Sequence, residues 1–93
     1  MRVIKFFYYL FFMNIYIGNL NYRVKESDLY DLLGKFGNVT SAKIITDRDT
    51  KRSKGFGFVE MENASDAESA IEALNGTELL GRSLVVKEAL PRD

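Results

Sequence analysis

Lys54-Gly55-Phe56-Gly57-Phe58-Val59-Glu60-Met61 is the stretch on which the fold turns. Gly57, Val59 and Met61 share one parity, while Lys54, Phe56, Phe58 and Glu60 share the other. That two-residue period predicts a strand from Gly55 to Met61, with Lys54 continuing the alternation. Toward the C-terminus, Ser65 and Glu68 have the spacing of a capping box, and Ala67, Ala70, Ile71 and Leu74 form a helical stripe that Asn75-Gly76 ends. Leu79-Leu80-Gly81 reads as a short turn. Ser83 to Glu88 reads as a further strand, with Leu84 and Val86 inward and Val85 and Lys87 outward. Toward the N-terminus, Asp47 to Ser53 is a polar loop, and Val39 to Thr46 is a strand with Ala42 and Ile44 opposite Lys43 and Ile45. Leu29, Leu32, Leu33 and Phe36 fall at i, i+3, i+4 and i+7, one face of a helix that Gly37 is expected to close. Ser27 is the better capping oxygen at its start, since Lys25 has none to offer. Asn14 to Leu20 alternates Ile15 and Ile17 with Tyr16.

The order β-α-β-β-α-β predicts an α+β fold, the ferredoxin-like sandwich of four antiparallel strands with two helices on one face. The helical stripes must bury against Ile15, Ile17, Ala42, Ile44, Gly57, Val59, Met61, Leu84 and Val86. The alternate positions, Tyr16, Lys43, Ile45, Lys54, Phe56, Phe58, Glu60, Val85 and Lys87, are left on an uncovered face. Three rings and three lysines on a wet sheet gain nothing from packing and invite association. They suit single-stranded nucleic acid, whose unstacked bases offer flat faces to rings while its phosphates seek cations.

Composition narrows the function classes. Ninety-three residues hold one domain, and the absence of both Cys and His removes disulfides, imidazole or thiolate metal sites, and every triad built on an imidazole base. No enzyme activity, cofactor or metal is expected. Gly55-x-Gly57 lacks the third glycine of a dinucleotide fingerprint and lies inside a strand. Glu68 and Glu72, at i and i+4, read as one solvated helix face. Thirteen basic residues balance thirteen acidic ones, so any electrostatic argument must be local. Residues 43 to 54 carry Lys43, Arg48, Lys51, Arg52 and Lys54 against Asp47 and Asp49, whereas residues 60 to 78 carry six acids and no base.

Lys54 to Met61 resembles the ribonucleoprotein octamer of the RNA-recognition motif, and Ile15-Tyr16-Ile17-Gly18-Asn19-Leu20 resembles its partner hexamer. The resemblance extends from Met13 to about Ala89, taking in Asp28-Leu29, Phe36-Gly37-x-Val39, Leu74-Asn75-Gly76 and Gly81-Arg82, and is similar to small bacterial proteins made of a single such domain. It implies that Tyr16 and Phe58 each stack a base, that Phe56 lies against sugar rings and that Lys54 pairs with a phosphate. Lys43, Arg52 and Lys87 are secondary candidates. The implied partner is single-stranded RNA, with single-stranded DNA a weaker ligand, bound by a cytoplasmic monomer with no membrane role. The alternative is a protein-interaction module of the same fold, docking through the sheet or the acidic second helix. The chain departs from the pattern in three places. Met61 replaces a terminal aromatic, Lys51 stands where glycine is common and is expected to reshape its turn, and Lys25 weakens the first cap.

The domain is expected to span 13–90, with 91–93 a short tail. Residues 1–12 carry six of the twelve aromatic residues without any period. Their apolar run, Phe6 to Met13, is too short for the ~20 residues of a membrane helix, and no small-x-small cleavage site follows Arg2 and Lys5. They read as an apolar extension: a leader ahead of Met13, a disordered segment, or a tail that packs on the domain or a partner.

Overall fold

The computed structural model describes residues 13–89, so the expectations for 1–12 and for 91–93 lie outside the described residues. The elements are β1 (Met13–Gly18), α1 (Glu26–Gly34), β2 (Val39–Thr46), β3 (Ser53–Met61), α2 (Ala64–Leu74), β4 (Glu78–Leu79), β5 (Arg82–Ser83) and β6 (Val85–Ala89). Strands β2-β3-β1-β6 form one antiparallel sheet in that order. The two central strands are therefore those that carry the octamer and the hexamer.

The period-two reading holds across the sheet. Ile15, Ile17, Ala42, Ile44, Val59, Met61, Leu84 and Val86 are all buried, in one core with Leu29 and Leu33 of α1 and Ala67, Ala70 and Leu74 of α2. Both described helices lie on that side, which gives the expected βαββαβ sandwich with a second sheet face that neither of them covers. No helix among the described residues is long and apolar enough to cross a membrane.

The helix ends differ from expectation. Lys25 is the N-cap of α1, not Ser27, because the Asp28 carboxylate accepts the Lys25 backbone N–H at 2.8 Å. Val24 and Leu29, both buried, hold the two positions of a hydrophobic staple around that start. The helix closes at Gly34, a turn short of Gly37. At α2 the cap is Asn63 rather than Ser65. Its side-chain oxygen accepts the N–H groups of Ser65 and Asp66 at 2.9 and 3.3 Å, so Ser65 already lies within the helix.

The segment expected as a turn and the start of the last strand is a two-stranded hairpin. β4 and β5 pair Glu78 with Ser83 and Leu79 with Arg82. Leu80 and Gly81 between them both take positive φ, 50° and 85°, the demand of a two-residue type I′ turn. The sheet strand begins only at Val85. Likewise β3 starts at Ser53, one residue inside the expected loop, and β1 ends at Gly18 rather than Leu20.

Candidate nucleic-acid interface

Strand register assembles the open face into rows. Tyr16 faces Phe58 across β1 and β3, Phe58 faces Lys43 across β3 and β2, and Tyr16 faces Lys87 across β1 and β6. The row reads Lys43–Phe58–Tyr16–Lys87, with rings on the inner strands and cations on the outer ones. Phe56, two residues along β3, completes a cluster. The Tyr16 and Phe58 ring centroids lie 5.8 Å apart and edge to face, Tyr16 and Phe56 lie 5.9 Å apart, and Phe56 and Phe58 lie 6.2 Å apart at 88°. The Lys87 Nζ sits 5.4 Å from the Tyr16 centroid, within cation–π range.

Two glycines shape this surface. Gly18 shares the parity of Tyr16, and a Cβ there would lie 2.5 to 2.8 Å from the tyrosine ring, so the bare backbone is what lets the ring lie along the strand. At Gly57, on the buried side, a Cβ would run into the Lys43 backbone carbonyl of the adjacent strand. Backbone cannot yield there as a side chain could, and β2 and β3 pair closely because residue 57 has no side chain.

The remaining cations take separate places. Lys54 is exposed near the start of β3, and it lines a cleft with Tyr16 and Phe56. Arg52 stands in the β2–β3 loop, apart from the ring cluster, where its carbonyl accepts the Asp47 N–H at 2.7 Å. The loop is pinned by Asp47, whose Oδ1 accepts the N–H groups of Asp49 at 2.8 Å and Thr50 at 3.0 Å. Lys51 takes φ 65° itself, the left-handed backbone that a glycine supplies without steric cost. Glu60 bounds the opposite end of the face, its carboxylate accepting the Thr40 hydroxyl at 3.1 Å.

The Thr50 and Asp49 backbone N–H groups, helped by the Lys54 charge, hold the Asp47 carboxyl below its ordinary pKa. A depressed carboxylate supports the turn fully above the usual aspartate range and loses that support as pH falls through the lowered folded value. The Asp49 and Thr50 amide resonances should therefore stay constant from neutral pH to about pH 5 and move only in more acidic solution. A midpoint at or above the ordinary aspartate value would show that the two hydrogen bonds do not form.

Sequence reasoning missed the cleft beyond Tyr16. Asn19 and Tyr22 reach it from the β1–α1 loop and Arg82 from the β4–β5 hairpin, the last anchored by Asn19, whose backbone carbonyl accepts Arg82 Nε at 3.2 Å and whose side-chain oxygen accepts Nη2. The exposed ring of Tyr22, just after the hexamer, was the one local signal.

Comparison with known proteins identifies the family. RbpE of Nostoc sp. (strain PCC 7120 / SAG 25.82 / UTEX 2576) is 48% identical over 87% of this chain and 82% of its own. The crystal structure of an RNA-binding protein, PG1, superposes with a TM-score of 0.84 at 64% identity, covering 87% of this chain and 98% of that one. A Sex-lethal protein–RNA complex superposes with a TM-score of 0.78 at 32% identity over 83% of this chain and 47% of that one. The sequence model described as RNA recognition motif matches residues 15–85, the span that holds both ring-bearing strands, and the chain belongs to that family.

Proposed function

We propose that this domain binds single-stranded RNA across the open face of its sheet. Tyr16 and Phe58 each stack a base, Phe56 lies against sugar and Lys54 pairs with a phosphate. Lys43 and Lys87 flank the rings, and Arg52 adds charge from the loop. The observation that carries this reading is the cluster of three rings in mutual contact on a face neither described helix covers, two of them in one row with two lysines. A relative named for RNA binding and a structural neighbour solved with RNA support it. The domain is a binder and not an enzyme, as the family and its relatives are. Its role is post-transcriptional, as a cytoplasmic monomer, and single-stranded DNA is a weaker ligand because it lacks the 2′-hydroxyl. The RNA-binding domain is assigned to 13–90 from the reach of its sequence motifs.

The test is a titration with a short single strand and with the blunt duplex of the same sequence. The single strand should bind more tightly, since bases stacked inside a helix cannot reach Tyr16 and Phe58. With ~2 to 3 phosphates neutralised, the log–log salt slope should be ~1.4 to 2.1 in magnitude. Equal affinity for the duplex contradicts the mechanism, and no RNA affinity at all favours a module whose sheet docks another protein.

A further inference from the structure

We propose that the cleft beyond the end of β1 is a further nucleotide site, holding one base of any identity on Tyr22 and its phosphate between Lys54 and Arg82. The inference rests on the sheet being an RNA surface. Tyr16 and Phe56 form one wall of this cleft of about 330 Å³, so it opens directly off the ring cluster. That volume is at the small end of ligand clefts and fits one nucleotide unit rather than several.

Tyr22 is the most exposed of the large apolar side chains described, at 75%. Its ring stands beside Gly55, where a Cβ would lie 3.6 Å away and where φ is 88°, so the wall next to it is flat backbone. Such a ring has little packing to recommend it and a full face to offer a base. Lys54 and Arg82 are the charged residues of the lining, and no carboxylate shares it. Asn19 holds Nε and Nη2 of Arg82 and leaves the rest of the guanidinium fork for an anion.

Among the described residues, electrostatics also favour this end of the central strands over the other for a strand leaving the sheet. The far end of the face carries Glu60, with Glu62 beyond it bonded to Asn38 at 3.1 Å, and these acids repel phosphate. The indifference to base identity follows from the polar groups. The Asn19 amide bonds the Ser83 carbonyl at 2.7 Å and the Asn21 amide bonds the Leu80 carbonyl at 3.0 Å, while the Asn21 oxygen accepts the Arg23 N–H at 2.9 Å. Both side chains are engaged in holding the loop to the β4–β5 hairpin, which leaves stacking and charge as the means of recognition.

The experiment is a mutant cycle between oligonucleotide length and Tyr22, using uridine oligomers of three and six nucleotides on the full chain. The wild-type chain should bind the hexamer more tightly than the trimer. Tyr22→Ala should weaken the hexamer about tenfold and leave the trimer unchanged, while Tyr22→Phe should keep both affinities. Equal weakening of trimer and hexamer would make Tyr22 a structural residue and overturn the proposal, as would a hexamer indifferent to Tyr22→Ala. If Tyr16→Ala and Phe58→Ala together leave trimer binding unchanged, the sheet itself is not the RNA surface, and that failure is recognisably a different one.

Discussion

Replacing Tyr16 and Phe58 together by alanine should remove most of the RNA affinity and leave a folded domain. Each base–ring stack is worth ~1 to 3 kcal/mol, so two independent losses would cost ~2 to 6 kcal/mol, or roughly thirtyfold to more than ten-thousandfold in Kd. The fold should survive because neither side chain belongs to the core, Phe58 being 38% exposed. The two losses should not add. The rings touch edge to face at 5.8 Å, so removing one loosens the position of the other, and a double-mutant cycle by titration should show a coupling of several tenths of a kcal/mol or more. Lys43 and Lys87, at the two ends of the same row, should leave a weak and more salt-sensitive residue of binding. Undiminished affinity in a folded double variant would refute stacking on these rings.

Ile15→Ala, one residue from Tyr16, should do the reverse. Ile15 is fully buried in the core between sheet and helices, and truncating such a side chain typically costs ~2 to 5 kcal/mol in lost transfer energy and residual cavity. For a domain of this size each kcal/mol is worth ~4 to 8 °C, so thermal melting should fall by at least about 8 °C. RNA affinity per folded molecule should stay near wild type, since the open face is untouched. A melting temperature within a degree or two of wild type would mean that Ile15 does not face the core.

The contrast between residues 15 and 16 also marks how much could be read from the sequence. A strand's period is two, so the assignment of Ile15, Val59 and Val86 inward and Tyr16, Phe58 and Lys87 outward needs no knowledge of neighbouring strands. The row Lys43–Phe58–Tyr16–Lys87 does need it. Pairing between β2 and β3 shifts at Val39/Ser41 and at Ile44/Thr46, and no local pattern announces those irregularities. Helix starts were misplaced for a similar reason. Ser65 and Glu68 have the right spacing, yet Asn63 starts the helix earlier by accepting the N–H groups of Ser65 and Asp66, and the Asp28 carboxylate accepts the Lys25 N–H from inside the first helix. The β4–β5 hairpin was hidden because Leu80, a residue that rarely takes positive φ, stands where Asn or Gly would have advertised the turn. The cleft lay furthest from view, since Tyr22, Lys54 and Arg82 meet only once the sheet order is known.

On the proposed reading, the placement of both rings on inner strands and both lysines on outer ones sets how much RNA the sheet face can survey. Four strands spaced ~4.8 Å apart make the row about 14 Å wide, a span of only a few nucleotides. A footprint that short recurs many times in any long transcript, and the chance of finding the domain on a given message rises with the number of open stretches it offers. On the proposed reading, a domain bound in this way would act less as the reader of one address than as a gauge of how much of a transcript lies unpaired.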